Sequence, residues 1–147
     1  MALNKTALHR TLRELSWQLG KFFLPNDNRV RGWYGEWLAR KYLKKKNFSI
    51  LYKNWQSSMD ERREIDLVVK DKKCLVFVEV RARSSRSLNS GFHSINQRKR
   101  KAIYAACKDF LRLESTQYSN YRFDVIEVDL DEEETKVLHH ENVSLFP

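Results

Sequence analysis

Apolar residues recur every three to four positions through most of the first 46 residues, a spacing that places them on one face of an α-helix. In the first stretch this apolar set consists of Leu8, Leu12, Leu15, Leu19 and Phe22. The segment 24–28 has turn composition and interrupts the pattern. A second helix is predicted from about Arg29 to Lys46, with an apolar side formed by Val30, Trp33, Tyr34, Trp37 and Leu38.

Alternation of apolar and polar residues then replaces the helical spacing and predicts three β-strands. The segment 48–55 alternates through Phe48, Ile50 and Tyr52, and the segment 64–70 alternates in the same way. The segment 74–80 is an almost continuous apolar run, which is typical of a strand covered on both faces. Because only residues 71–73 link the last two strands, we expect them to form an antiparallel hairpin.

A third helix and at least one more strand follow a loop-like segment at 84–93. The sequence Ser94-Ile95-Asn96-Gln97 predicts a capping box at the start of this helix. Its apolar face consists of Ile103, Ala106, Cys107, Phe110 and Leu113. Residues 121–130 predict a fourth strand, and residues 136–146 a further edge strand. Because a helix connects the third and fourth strands, we expect those two strands to be parallel.

Composition indicates one folded domain rather than a linker or a low-complexity chain. The chain has 147 residues, 41% of them hydrophobic, with only 4 Gly and 2 Pro. Cys74 and Cys107 lack the spacing of a zinc site and fit the free thiols of a reducing compartment. No run of 18 apolar residues occurs, so no membrane span is predicted. We therefore expect a cytoplasmic protein.

Positive charge is concentrated in the first part of the chain. The net charge is +9, but residues 124–147 hold eight acids and one lysine. Residues 1–123 therefore hold 27 basic and 11 acidic residues, a net charge of +16. Such a charge favours a nucleic-acid partner, because binding to phosphates releases condensed counterions. A basic surface without a partner, or an interaction protein whose acidic C-terminal part covers that surface, fits the same charge; a homodimer is also compatible with the sequence.

Two carboxylates stand in the middle of apolar strands, where an ionised group must be paired, hydrogen-bonded or bound to a metal. These are Asp66 and Glu79. Glu64 shares a strand face with Asp66, and Arg81 shares one with Glu79. A four-residue turn would place Asp66 opposite Glu79 and Glu64 opposite Arg81. A three-residue turn would put the carboxylates on opposite faces, and the sequence does not decide between them.

Carboxylates that converge at the edge of a sheet suit a hard divalent cation such as Mg²⁺ or Mn²⁺. Such an ion can activate water and stabilise the charge that develops on a phosphodiester. The same spacing also fits a surface ladder of ion pairs. Its members would be Glu64, Asp66, Arg81 and Arg83.

Several segments, in order, resemble the YraN family of uncharacterised bacterial proteins. They are GWYGEWLARKYL from residue 32, Asn54, EIDLV from residue 64, FVEVRAR from residue 77, RKRK from residue 98 and RFDV from residue 122. That family resembles a branch of the PD-(D/E)-x-K nuclease superfamily, with its restriction-endonuclease-like and Holliday-junction-resolvase-like fold. The resemblance implies an α/β core of one helix, three antiparallel strands, a helix and a parallel strand. It places this nuclease domain at residues 29–147, after an N-terminal helical extension at residues 1–28.

The resemblance also implies roles for four residues and a function. Asp66 corresponds to the motif Asp, Glu79 to the motif (D/E), and Glu36 to a first-helix Glu that assists metal binding. Arg81 stands where the motif has Lys; an Arg cannot act as a general base but can hold a phosphate. The implied function is a Mg²⁺-dependent, structure-selective DNA endonuclease, and the alternative is a non-catalytic nucleic-acid-binding module with the same fold.

Basic residues around the third helix form a candidate phosphate-binding patch. The candidate DNA contacts are Arg83, Gln97, Arg98, Lys99 and Arg100. Gln97 and Lys99 are expected to come closest to the carboxylates. A solvated helix face explains the same charges without a ligand.

Four further side chains have ordinary explanations beside the chemical one. Glu36 can form an ion pair with Arg40 one helical turn later. His93 lies in the loop beside the candidate site and can be an ordinary loop residue. His139 and His140 are adjacent on a predicted strand, so they should point in opposite directions and form no metal pair.

Overall fold

The computed structural model describes residues 5–18, 27–83, 95–114, 118–130 and 135–145. Within these ranges the elements are α1 (Lys5–Gln18), α2 (Asn28–Lys45), β1 (Ser49–Ser57), β2 (Asp60–Asp71), β3 (Cys74–Arg83), α3 (Gln97–Leu113), β4 (Asn120–Leu130) and β5 (Thr135–His140). The predicted order of elements is confirmed, including the final strand. Among the helices so described, none has the length and apolar character needed to cross a membrane.

The five strands form one sheet in the order β1-β2-β3-β4-β5. The pairs β1–β2, β2–β3 and β4–β5 are antiparallel, and β3–β4 is parallel. The parallel pair follows from the α3 crossover, as predicted. The mixed α/β fold class is confirmed, and the arrangement is compatible with a restriction-endonuclease-like core that carries an added N-terminal helix.

The core consists of two apolar layers, one on each face of the sheet. Val76 and Val78 of β3 pack in the layer beneath α2, whereas Leu75 and Phe77 pack in the layer beneath α3. All four side chains are fully buried. β3 is therefore covered on both faces, which confirms the interpretation of its continuous apolar run.

Both central helices begin at a side-chain cap, but α3 begins later than predicted. Asp27 caps α2 by accepting the Arg29 N–H at 2.8 Å. The cap of α3 is Asn96, whose Oδ1 accepts the Lys99 N–H at 2.8 Å. The prediction of Ser94 as the N-cap was therefore wrong. Ser94 itself lies outside the described residues. At the other end of α3, Leu113 is 44% exposed, so it does not belong to the buried face.

The apolar stripe of α1 is not its packing face. Leu8, Leu12 and Leu15 are 47, 56 and 51% exposed. Instead, Trp17 is buried against Tyr34 and Trp37 of α2, with ring centroids 5.0 and 5.8 Å away. The helix is described only as far as Gln18, so the predicted positions Leu19 and Phe22 lie outside the described residues.

A bulge changes the face of β1 that its apolar residues occupy. The pairing with β2 shifts between Ile50 and Tyr52, which leaves Leu51 as the extra residue. Phe48 and Ile50 pack beneath α2. The Tyr52 ring instead contacts Phe110 of α3, with a centroid distance of 5.3 Å. The predicted single-face alternation of this strand was wrong for that reason.

Candidate functional site

The β2–β3 hairpin sets the position of the site. Its turn spans residues 71–74, and its ladder ends at the pair Leu67–Val78. This register confirms the four-residue turn and excludes the three-residue alternative. The next backbone donor of β3 toward β2, the Val80 N–H, donates to Asp66 Oδ2 at 2.7 Å. A side chain thus takes over where the ladder stops, and the two strands separate there.

The Asp66 and Glu79 carboxyl groups lie close together at this point, near enough for each to affect the pKa of the other. Glu79 is only 4% exposed. Burial raises the pKa of Asp66 well above its usual range, and the charges of Glu79 and Glu36 raise it further. Burial also raises the pKa of Glu79, although the nearby charges of Lys99 and Arg81 oppose this rise. Both shifts make it less favourable for the two carboxyl groups to be ionised at the same time.

Lys99 supplies the nearest basic group to this pair. Its Nζ lies 3.3 Å from Glu79 Oε1, whereas Arg81 Nη1 lies 3.7 Å from the same atom. Burial lowers the pKa of Lys99, but the charges of Glu79 and Asp66 outweigh that effect and raise the pKa overall. Lys99 therefore remains an ammonium ion. The sequence analysis placed Lys99 among the DNA contacts and expected it, with Gln97, to come closest to the carboxylates. The structure places Lys99 against Glu79, whereas Gln97 is exposed.

A close approach of α2 to β3 places Glu36 near the carboxyl pair. A Cβ at Gly35 would lie 2.6 Å from Ala82 Cβ, so only glycine allows this packing. Glu36 follows directly, and its charge acts on Asp66 strongly enough to raise the pKa of that residue. Glu36 of α2, Asp66 of β2 and Glu79 of β3 are thus brought to the same end of the sheet.

Glu36 does not pair with Arg40, the partner that lies one helical turn later in the sequence. Its Oε2 accepts hydrogen bonds from Asn54 Nδ2, at 3.0 Å, and from Arg10 Nη2 of α1. Arg40 pairs with Glu14 instead, at 2.7 Å. The alternative Glu36–Arg40 ion pair does not form, because α1 packs against α2 and supplies partners to both residues. Nothing in the sequence pattern of α1 identified Arg10.

Glu64 lies farther from the site than the predicted register implied. The β2–β3 ladder stops before it reaches Glu64, so the predicted pairing with Arg81 does not form in the sheet. In the sheet, Glu64 is paired with Gln56 of β1, and its side chain is exposed. Its charge acts on Lys99, where it contributes to the raised pKa.

The predicted DNA contacts are divided among four places. Gln97 and Arg98 are exposed in the first turn of α3, and Lys99 faces the carboxyl pair. Arg100 Nη2 donates to the Ser144 carbonyl at 3.2 Å. Arg83 lies at the end of β3. His93 lies outside the described residues.

A basic cavity of about 340 Å³ adjoins the site. It lies between the first turn of α2 and the end of β3, where β2 has already separated. Arg31, Arg81 and Arg83 line it, together with Gly32 and Ala82. This cavity is a place where a phosphate could approach the carboxyl pair.

Another buried carboxylate, Asp124 of β4, is structural. Its oxygens accept hydrogen bonds from Arg122 Nε at 3.0 Å and from the Asn142 N–H at 2.9 Å, and His139 Nε2 lies 2.9 Å from Oδ2. His140 Nε2 lies instead 2.9 Å from Glu127 Oε1. The two histidines have different partners, which confirms that they point in opposite directions.

The donor set at the carboxyl pair fits a hard divalent ion. Among the described residues, no group of three or more His, Cys, Asp or Glu side chains is close enough to hold a metal ion. Mg²⁺, however, is commonly bound by one or two carboxylates, with waters and substrate phosphates completing its coordination. Asp66 and Glu79 match that requirement, because their charges repel one another and a cation between them would relieve the repulsion.

Comparison with known proteins identifies similar chains in several bacteria. The family model described as "Uncharacterised protein family UPF0102" matches residues 35–128. A UPF0102 protein of Clostridium acetobutylicum is 36% identical over 117 residues, which cover 80% of this chain and 87% of the relative. A UPF0102 protein of Alkaliphilus oremlandii is 36% identical over 118 residues, which cover 78% of this chain and 97% of the relative. A UPF0102 protein of Dichelobacter nodosus is 38% identical over 96 residues, which cover 65% of this chain and 74% of the relative. The range that the family model matches includes Glu36, Asp66, Glu79 and Lys99, but not Arg10.

Proposed function

The chain belongs to the uncharacterised protein family UPF0102, which is the YraN family that its motifs resemble, and we propose that it is a Mg²⁺-dependent, structure-selective DNA endonuclease. The observation that carries this proposal is the Asp66–Glu79 carboxyl pair, buried where β2 and β3 separate and faced by Lys99. Buried carboxylates with raised pKa values beside a cation are typical of a site that performs chemistry.

Asp66 and Glu79 would hold the ion, with Glu36 and Glu64 as supporting carboxylates. When bound, the ion supplies Lewis-acid activation of water and of the phosphoryl oxygens. The Val80 N–H holds Oδ2 of Asp66, and Oδ1 would be the oxygen that coordinates the ion. Mn²⁺ has the same preference for oxygen ligands and is expected to replace Mg²⁺.

Lys99 and Arg81 would stabilise the phosphate during cleavage. Both are positively charged beside Glu79, and neither is suited to accept a proton, because the pKa of Lys99 is raised and an arginine stays charged. Each can donate to a phosphoryl oxygen whose negative charge increases in the transition state. Lys99 thus supplies the ammonium group at this site although the motif position itself holds Arg81.

The surrounding charge would bind the DNA backbone. The Arg31–Arg81–Arg83 cavity adjoins the carboxyl pair, and Gln97 and Arg98 are exposed at the start of α3. These groups could hold phosphates on either side of the bond that is cut.

A non-catalytic DNA-binding module is the second candidate, and one contact favours it. Arg10 of α1 donates to Glu36, one of the supporting carboxylates. A permanently occupied Glu36 would weaken metal binding while leaving the basic surface intact.

The two functions are separated by cleavage assays with matched variants. Wild type, Asp66→Asn and Glu61→Gln are purified identically and incubated with duplex, branched and single-stranded DNA in Mg²⁺ or Mn²⁺. Glu61→Gln removes an exposed carboxylate from the same strand and is the control. We expect cleavage by wild type and Glu61→Gln only, with DNA binding by Asp66→Asn unchanged or stronger. Absence of cleavage by wild type, or equal cleavage by Asp66→Asn, would reject the nuclease in favour of the binding module.

A further inference from the structure

The strand β2 changes faces at Asp66. Leu67 packs in the layer beneath α2, but Ile65, two residues earlier, packs in the layer beneath α3. In a regular strand, residues two apart point to the same face of the sheet, so the backbone is irregular at the residue between these two. That residue is Asp66. Charges from two different elements act on it there, namely Glu36 of α2 and Glu79 of β3.

The facing strand β1 changes faces at the same place, at Asn54. β1 pairs Lys53 with Leu67 and Trp55 with Ile65, so its own reversal falls between Lys53 and Trp55. The φ angle of Asn54 is 48°, which lies in the left-handed region. Among residues that carry a Cβ, Asn adopts this region more readily than most. Such a conformation is uncommon inside a strand, and where it occurs it is often found at functional sites.

The side chain of Asn54 connects this irregular part of the sheet to α2. Its Nδ2 donates to Glu36 Oε2 at 3.0 Å. Arg10 of α1 donates to the same oxygen. The two donors differ in charge, because the guanidinium of Arg10 neutralises the carboxylate, whereas the uncharged amide of Asn54 leaves its negative charge in place. Since Asn54 lies across from Asp66 between the two strands, its hydrogen bond ties Glu36 to the position of Asp66.

We propose that Asn54 is a positioning residue for the candidate metal site: its left-handed backbone accommodates the reversal at Asp66, and its amide holds the Glu36 carboxylate beside Asp66. The consequence for metal binding rests on the proposed function, whereas the position of Glu36 does not. Carboxylates that bind a metal ion are oriented by hydrogen bonds from residues that do not touch the ion, and loss of such a partner lowers metal affinity about 10- to 100-fold. If Asn54 served the backbone alone, its amide would not be needed.

The variant Asn54→Gly separates these two roles, because glycine adopts a positive φ without strain but has no side chain. The matched control is Asn142→Gly. Asn142 also has a positive φ, of 52°, and is exposed; its backbone N–H, which glycine retains, donates to Asp124, away from the candidate site. Both variants and wild type are compared by thermal unfolding in EDTA, by crystal structures without metal, and by calorimetric titration with Mn²⁺.

We expect both variants to unfold at nearly the same temperature as wild type. In metal-free crystals of Asn54→Gly, the Glu36 carboxylate should lie farther from Asp66 and closer to Arg10 than in wild type, because Arg10 is then its remaining partner. Mn²⁺ should bind about tenfold more weakly to Asn54→Gly. Asn142→Gly should match wild type in both measurements.

Three results would overturn the proposal, because each assigns Asn54 to the backbone alone. They are an unmoved Glu36 carboxylate in Asn54→Gly, a large loss of stability in that variant, and an Mn²⁺ affinity equal to that of wild type. If wild type itself binds no Mn²⁺, the proposed function fails, and the position of Glu36 in the metal-free crystals still decides whether Asn54 positions it.

Discussion

Replacing Asp66 by Asn should make the metal-free protein more stable at neutral pH. In the wild type, burial and the charges of Glu79 and Glu36 raise the pKa of Asp66. A carboxyl group whose pKa is higher in the folded state than in the unfolded state loses stability as pH rises between those two values. The folded protein is therefore penalised at neutral pH for ionising this group. An Asn side chain keeps the size and the acceptor oxygen but removes the charge.

The size of the effect follows from opposing interactions. Two carboxylates about 4 Å apart repel by about 4 kcal/mol at an effective dielectric constant of 20. The substituted amide would lose about 1 kcal/mol in the bond from the Val80 N–H, because a neutral acceptor binds more weakly than a charged one. It would also lose about 1 kcal/mol of attraction to Lys99. The net gain is about 2 kcal/mol, or about 4–8 °C in the unfolding midpoint for a chain of this length.

Thermal unfolding followed by circular dichroism measures this difference. In EDTA at pH 7.5, Asp66→Asn should unfold at a higher temperature than wild type, and Glu61→Gln should match wild type. The difference should shrink as pH falls, because the wild-type pair then gains its proton. Adding Mg²⁺ should stabilise wild type and leave Asp66→Asn unchanged. An Asp66→Asn protein that is less stable than wild type in EDTA would show that the charge of Asp66 does not destabilise the folded protein.

Three further variants test other parts of the structure. Arg10→Gln should tighten Mn²⁺ binding about fivefold in calorimetry, because it frees Glu36 and removes a competing cation; unchanged or weaker binding would contradict the site. Lys99→Met should lower the cleavage rate about 100-fold while Mn²⁺ still binds beside Glu79, and an unchanged rate would remove Lys99 from the mechanism. Burial raises the pKa of Asp124, but the hydrogen bonds to its carboxylate outweigh that effect, so the pKa is lowered overall. The stability that these hydrogen bonds contribute at neutral pH is therefore lost as pH falls through the lowered pKa of Asp124. Asp124→Asn should cost about 3 kcal/mol in urea unfolding at neutral pH, and a loss below about 1 kcal/mol would contradict a structural role.

The strand pairing could be predicted because it depends on local patterns. The short link at 71–73 limited the hairpin to few registers, and the apolar run that follows required burial on both faces. The adjacency of Asp66 and Glu79 follows from that register alone. The parallel pairing of β3 and β4 follows in the same way from the helix between them.

Contacts between distant elements could not be predicted from periodicity. The leucines of α1 indicated a packing face, yet this helix packs through Trp17 and ion pairs, so Arg10 reaches Glu36 without any sequence signal. The bulge in β1 inserts one residue that no local preference marks. Glu64 was placed opposite Arg81 by extending the ladder, and the Asp66 side chain ends that ladder first.

Anomalous scattering can show whether Asp66 and Glu79 hold a divalent cation. Crystals of wild type and Asp66→Asn are soaked in Mn²⁺, and anomalous difference density is calculated at the manganese edge. We expect a wild-type peak within about 2.0–2.6 Å of carboxylate oxygens of both residues, and no such peak in Asp66→Asn. A wild-type crystal that binds Mn²⁺ elsewhere and shows no peak between Asp66 and Glu79 would contradict it.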